Sequence, residues 1–576
     1  MAEDREKMSV VPYASAIGSI ILAKPCRDHR CFHHHAVMLL DLHQPLLPPC
    51  WIKLEETSSQ PGVEAQCPPR RGPLRAVTEP VQMAIPWGRS PNPYTLATLG
   101  GGHRSPNYHY DTGNIPDLVR GGELHRALAR LSVSYGPVMS MRLGMASLVV
   151  LSSPATAHEA LHKKEGAVSS RWVPDSASVM GHSGISMVWL PSSSPLWKHL
   201  RTVASTLLFT SRRLGASRAI QERKARELVD HLHASSGRPV RVALPVFSAV
   251  INMLSSVLFS EDVVELGSVT GQEFMELIAD SVAETAKPNI SDFFPFLSSL
   301  DLSRRRRAVA ANLSRFYQFF DAVIDRRLNS AEKPGDLLES LLELPAKSQL
   351  ERPDLFIAGS HTTTTTVEWA MAELLRNPTK MAKARAELRE AFGSGNAEEG
   401  DLANLPYLQA VMKETMRLHP PAPLLLPHEV SETGVTLGGC SVPKGARVLI
   451  NVWAIGRDPE VWAEPEVFMP ERFLDREVDF RGRALEFIPF GSGRRACPGM
   501  PLAVTVVPMV LASLLHEFEW RLPDGMAPGD VDLSDRFGAA LELAVPLRAV
   551  PSRRQALKPL GRADLESVRG FGEGNP

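Results

Sequence analysis

The sequence predicts a mainly α protein with a minor β-sheet region, and three observations carry that reading. From about Gly113 onward, apolar residues recur at three- and four-residue steps in one stretch after another. Strand-like alternation is confined to a few short runs, and no internal repeat divides the chain. At 576 residues and 44% hydrophobic content, the chain can bury a large core.

Residues 1–112 make an atypical N-terminal segment, rich in Pro, His and Gly and without sustained periodicity. It is expected to be disordered or an artefact of the gene model. Cys26, Cys31 and Cys50 lie there among histidines, but their spacing fits no common zinc module. Leu124, Leu128 and Leu131 then mark a helix, and two short apolar runs around Gly144 read as a hairpin. Helical spacing follows over 155–163, 196–210, 218–233, 274–284 and 315–328, and again over 367–375, 380–391, 406–418 and 502–516. The run Arg304–Arg307 reads as the solvated start of a helix, and Ala446–Trp453 has a strand pattern. Residues 113–551 are thus the expected folded domain, and 552–576 a flexible tail.

Composition excludes several classes. With 63 basic and 64 acidic residues the net charge is −1, which gives no electrostatic reason to expect nucleic acid. Four of the six cysteines precede residue 70, so the folded part carries too few for a disulfide framework, and a reducing surrounding is expected. No run reaches the roughly 20 apolar residues of a membrane helix. Val10–Ala23 is interrupted by Pro12 and Gly18, and Pro501–Leu515, with Pro508, reads as a buried helix. Neither stretch has the pattern of a signal peptide.

The segment "FIPFGSGRRACPGM", Phe487–Met500, presents Cys497 in a loop rich in Gly and Arg. A nucleophilic thiol needs a neighbouring base, and a zinc thiolate needs further ligands; the loop holds neither. A haem iron needs only one axial protein ligand. Arg494, Arg495 and the start of the following helix would favour the thiolate, and Gly491, Gly493 and Gly499 would let backbone approach a flat macrocycle.

Phe490, Gly493, Arg495, Cys497 and Gly499 match, in order and spacing, the haem-binding loop of cytochrome P-450 monooxygenases. "KETMRLHP" with "FMPERF", "LWKHLR" and "FIAGSHTT" fall in the order that family requires. The chain from about Gly113 to Pro551 therefore resembles the family. "SDFFPFLSSLDL", "TVEWAMAELLRNP" and "RLHPPAPLLLPHE" are similar to plant microsomal members of the geraniol 8-hydroxylase-like branch. The resemblance implies a P-450 fold with haem b held by Cys497 as the iron's ligand. Trp197, Arg201 and His428 would meet its propionates, and Glu414, Arg417 and Arg472 would form a buried ion network. Thr362 and His361 would serve the oxygen site. Met187, Val188, Trp189, Ala358, Leu424, Ala539 and Ala540, with Thr362, would border the substrate. Implied too are O2, an apolar terpenoid-like substrate (a monoterpenol or diterpenoid) and electrons from NADPH through a separate cytochrome P-450 reductase. The chain has no G-x-G-x-x-G nucleotide fingerprint of its own. The family's place is the cytosolic face of the endoplasmic reticulum membrane.

Three departures from the family pattern stand out. The N-terminal anchor and Pro-rich hinge are not evident, and Val11–Ile20 resembles a fragment of a copia-type retrotransposon polyprotein. Pro353 abuts Asp354 where the family has several more residues, so the distal helix should begin close to the oxygen site. The family's acid before the distal threonine is His361, an imidazole able to carry protons in its place. Exchanging it for Asp is expected to raise product formed per NADPH. The alternative to an active enzyme is a non-catalytic or unfolded product of a damaged P-450 gene.

Overall fold

The computed structural model describes Leu118 and residues 123–554, apart from 332–333, 343–351, 394, 396, 398–401 and 539; the side chains of residues 341, 352 and 353 are likewise left undescribed. The expectations for residues 1–112, the zinc spacing and the retrotransposon-like stretch among them, lie outside these residues. The described residues belong to one compact unit.

Ten principal helices build it: α1 Leu124–Tyr135, α2 Pro195–Val203, α3 Ser211–Ala234, α4 Ala243–Phe259, α5 Val269–Ala286, α6 Arg305–Asn329, α7 Arg352–Arg376, α8 Pro378–Phe392, α9 Pro406–Leu418 and α10 Met500–Glu517. The sheet region is small. Strands β1 Val138–Leu143, β2 Ala146–Leu151, β3 Ser170–Arg171, β5 His428–Glu429 and β8 Arg447–Ile450 pair in the order β1-β2-β8-β5-β3. β4 Val240–Arg241, β9 Phe518–Arg521 and β12 Arg548–Arg553 form a second sheet, while β6 Val435–Leu437 pairs with β7 Cys440–Val442 and β10 Asp535–Phe537 with β11 Leu541–Leu543. The fold is mainly α with minor sheets, as the sequence predicts. β12 runs to Arg553, into the segment read as tail.

The hairpin around Gly144 is β1–β2, in which Val138 faces Leu151 and Leu143 faces Ala146. The strand pattern of Ala446–Trp453 is realised only as β8. Asn451 then turns the chain by capping Val452–Ile455, its side chain accepting from Ala454 N. Helix α4 carries no helical stripe because it is apolar nearly all round; almost every face is buried, so periodicity could not reveal it. α7 reaches far behind the periodic stretch 367–375. Its five threonines, Thr362–Thr366, are poor helix formers, yet four are accommodated by donating their hydroxyls back one turn. Thr362 donates to Ala358 O at 2.6 Å, Thr363 to Gly359 O at 2.7 Å, Thr364 to Ser360 O at 2.9 Å and Thr366 to Thr362 O at 2.8 Å. The arginine run does open α6, but it is paired as well as solvated: Arg305 meets Glu284, Arg306 meets Asp175 and Arg307 meets Asp301.

The core lies where α4, α7, α9 and α10 pack together, around Trp369, Leu408, Val411 and Leu511. At the α4–α7 crossing a Cβ on Gly359 would stand 3.0 Å from Leu254 Cδ1, so glycine lets the helices close there. Among the described residues, α10 alone is long and apolar enough to cross a membrane, and most of it is buried in this core.

Candidate active site

A cavity of about 600 Å³ lies along α7 and is walled by α2, the loop before it, the 421–428 segment and the Cys497 loop. Cys497, Phe490 and Gly499 line it, as do Trp197, Arg201, Arg495 and His428. So do His361, Thr362, Ala358, Met187, Val188, Trp189, Leu424 and Ala540. Ala539 lies outside the described residues. Cys497 is exposed to this cavity and otherwise enclosed by protein.

The thiol loop is closed by Cys497 N, which donates to Phe490 O at 2.9 Å. Gly493 has φ +66°, and a Cβ there would collide with Leu161 O. It does not line the cavity, so its glycine serves the contact with the protein behind the loop and not a macrocycle. Burial pushes the Cys497 thiol up, opposed by the Gly499 N–H, Arg201 and the Met500 N–H at the start of α10. The expected cations are elsewhere. Arg494 pairs with Glu165 at 3.4 Å. Arg495 donates to Ser169 O at 2.8 Å and also to Leu190 O. Arg201 is the cation at the sulfur, and it also donates to Ala496 O at 2.9 Å. A bound metal cation would supply what burial withholds, since a coordinating thiol is deprotonated.

One wall of the cavity is a cluster of donors. Trp197 Nε1 and Arg171 Nε are buried with no hydrogen-bond partner among the described residues. The ring of Trp197 lies under the guanidinium groups of Arg495, at 4.7 Å, and Arg201, at 5.7 Å. Burial and the neighbouring Arg495 and Arg201 pull Arg171 down to about 9, and burial with Arg201 and Arg494 pulls Arg495 down to about 10. Half-buried guanidinium groups that meet only carbonyl oxygens, and an orphaned indole N–H, call for an anionic partner. The propionates of a haem fit that need, and the exposed thiol fits its iron. Sequence reasoning missed Arg171. Nothing near it in the chain marks it; it arrives through the β3–β5 pairing, which sets Arg171 opposite His428. His428 differs from the expectation: Nδ1 donates to Val168 O at 2.9 Å, which leaves Nε2 without a proton. Burial, then Arg171, hold this imidazole well below its ordinary value, so it is neutral and offers an anion no donor.

Away from the cavity, Glu414 receives Arg417 through two bonds, 2.7 Å from Nε and 2.8 Å from Nη2, and Arg472 Nε at 3.0 Å. Both members of the Glu414–Arg417 pair are fully buried. Arg417 also donates to Pro465 O at 2.7 Å, and Met469 N donates to Glu414 at 2.7 Å. The network ties α9 to the 465–472 loop.

On α7, Thr362 and His361 both reach the cavity, and His361 Nε2 lies 2.7 Å from Glu542 Oε1 on β11. Burial raises the Glu542 carboxyl, but hydrogen bonds from His361 and Arg536 prevail and bring it down to about 2. Sequence reasoning missed Glu542 as well, because 181 residues separate it from its partner.

Helices that enclose a cavity with one thiol among the described residues and a wall of half-buried arginines define a haem-thiolate protein. Residues 104–541 match the family described as Cytochrome P450, and the chain belongs to it. Among its relatives, it is 47% identical over 453 residues to oryzalexin D synthase of Oryza sativa subsp. japonica, covering 76% of this chain and 90% of that protein. It is 43% identical over 447 residues to geraniol 8-hydroxylase of Catharanthus roseus, covering 75% and 90%. A zebrafish cytochrome P450 solved with abiraterone superposes with a TM-score of 0.62 at 28% identity, covering 75% of this chain and 99% of that one. The protein is thus a P450 monooxygenase that uses haem, a redox partner and a small substrate.

Proposed function

We propose that this chain hydroxylates an apolar terpenoid-like substrate, a monoterpenol or diterpenoid, with Cys497 as the haem ligand. The observation that carries the reading is a cavity in which Cys497 is the one cysteine among the described residues, walled otherwise mainly by apolar side chains such as Met187, Val188, Trp189 and Leu424. The substrate class is supported by relatives named oryzalexin D synthase and geraniol 8-hydroxylase. Haem bound there would activate O2 for insertion into a C–H bond. Around it, Trp197, Arg171, Arg201 and Arg495 hold the anionic edge, and the Glu414 network holds the core behind the thiol loop. Ala358, Leu424 and Ala540 give the substrate its apolar wall and exclude water. Electrons come from an NADPH-dependent reductase at the cytosolic face of the endoplasmic reticulum membrane.

The reduced, carbon monoxide-bound protein should show the long-wavelength band of thiolate-ligated haem, and Cys497→Ala should lose it. A band retained in that variant would sink the assignment. Geraniol or a diterpene olefin should perturb the haem spectrum on binding, and the reconstituted enzyme should yield a hydroxylated product.

A further inference from the structure

His361 stands where an acid is expected, and its ring is neither on the surface nor alone. It is buried, lines the cavity beside Thr362, and is held through Nε2 by Glu542. Glu542 is itself fixed. It faces Arg536 across the β10–β11 ladder, and Arg536 Nη2 donates to it at 2.9 Å. The hairpin is anchored at both strands: Arg126 grips Asp535 at 2.7 Å, and Trp369 Nε1, on α7, donates to Leu541 O at 2.8 Å. The charged groups facing this pair are Arg536 from β10 and Glu368 from α7, with Arg241 of β4 acting on Glu368.

We propose that Glu542, through its hydrogen bond to His361, fixes the tautomer and orientation of the imidazole that passes protons into the cavity beside Thr362. The acid that is missing at position 361 is thereby supplied from the C-terminal hairpin, one residue further out. The inference rests on the monooxygenase reading, whose stoichiometry consumes two protons and two electrons as O2 yields one hydroxyl and one water. With Nε2 on Glu542, the nitrogen left for exchange with the cavity is Nδ1. Giving up the Nδ1 proton returns the ring to its neutral, Nε2-protonated form, and solvent returns a proton to Nδ1 before the next transfer. Glu542 is a positioning residue, acting through His361. On this account His361→Asp would bring two carboxylates together and lower coupling, the reverse of the expectation from sequence.

The test uses the full chain with haem and reductase. Glu542→Gln should keep the parent's carbon monoxide spectrum but reduce product per NADPH about 10-fold. That is less than the 10²–10⁴-fold of direct acid–base help, because the effect is indirect. The loss should appear as peroxide, and Glu542→Asp should restore part of it. A second readout needs no turnover. Ring ¹⁵N shifts of His361 in the diamagnetic carbon monoxide complex, assigned by His361→Asn, should show the Nε2-protonated form in the parent and mixed tautomers in Glu542→Ala. Unchanged coupling in Glu542→Gln overturns the proposal, as does one tautomer retained in Glu542→Ala. If the parent oxidises no substrate, the monooxygenase reading fails, and the ring-nitrogen result decides the role of Glu542 alone.

Discussion

Glu368 lies two helical turns beyond His361 on α7, buried, with its carboxylate accepting from Leu547 N at 2.9 Å. Burial raises this carboxyl to about 7, partly offset by the Leu547 N–H and Arg241. The folded value exceeds the unfolded one, so the folded state binds the proton more tightly. Its stabilising effect is complete below about pH 4.3 and is lost as pH rises to about 7. Above that, a buried carboxylate remains, at a cost on the order of 3 kcal/mol. Glu368→Gln keeps an oxygen for Leu547 N and removes the charge. The variant should therefore melt at a higher temperature than the parent at pH 8 and close to the parent at pH 5; an equal gap at both values would refute this account. Residues of this kind are invisible in sequence. Glu368 sits in "TTVEWAM" as one charged letter in an amphipathic run, and only packing shows that its side chain is buried.

At the scale of elements, the Glu414 network shows what local spacing can and cannot foretell. Glu414 and Arg417 are three apart on α9, a spacing that alone describes an ordinary helix pair. Burial changes its meaning, because both charges are withdrawn from water and depend on each other and on the 465–472 loop. Glu414→Ala would leave Arg417 and Arg472 without their carboxylate, costing roughly 3–5 kcal/mol. Soluble yield and haem content should fall together, and a well-folded, haem-loaded variant with slower turnover would contradict a structural role. Helices α1, α3 and α9 are legible from their apolar stripes. α4 is not, since a helix buried on all sides has no polar face to set its period. To periodicity alone the N-terminal half of α7 is obscured for another reason, since its threonines suit strand or loop until their hydroxyls bond back along the helix, and only the family likeness of "FIAGSHTT" marks it.

At the scale of the molecule, α7 joins two environments, the core around Trp369 and the cavity around Ala358 and Thr362. Ala358→Phe would place a ring in the cavity while changing no residue of the Cys497 loop. It should leave the carbon monoxide band intact and weaken binding of a diterpene by tenfold or more, with a smaller effect on geraniol, as read from haem spectral titrations. Equal effects on both substrates would show that Ala358 does not limit the cavity. By itself the sequence determined the fold class and the isolated thiol loop, because these rest on short-range spacing and on residue type; the Glu414–Arg417–Arg472 set, the Trp197 and Arg201 pair and the apolar cavity positions came only as what the family resemblance implies. Tertiary structure alone decided that Arg171 joins the cation wall, that Arg201 and not Arg494 or Arg495 faces the sulfur, that His428 has its only N–H committed to Val168, and that His361 is answered by Glu542. Those outcomes depend on strand register and on burial, which set charge, tautomer and partner through contacts between segments hundreds of residues apart, and no local pattern encodes them.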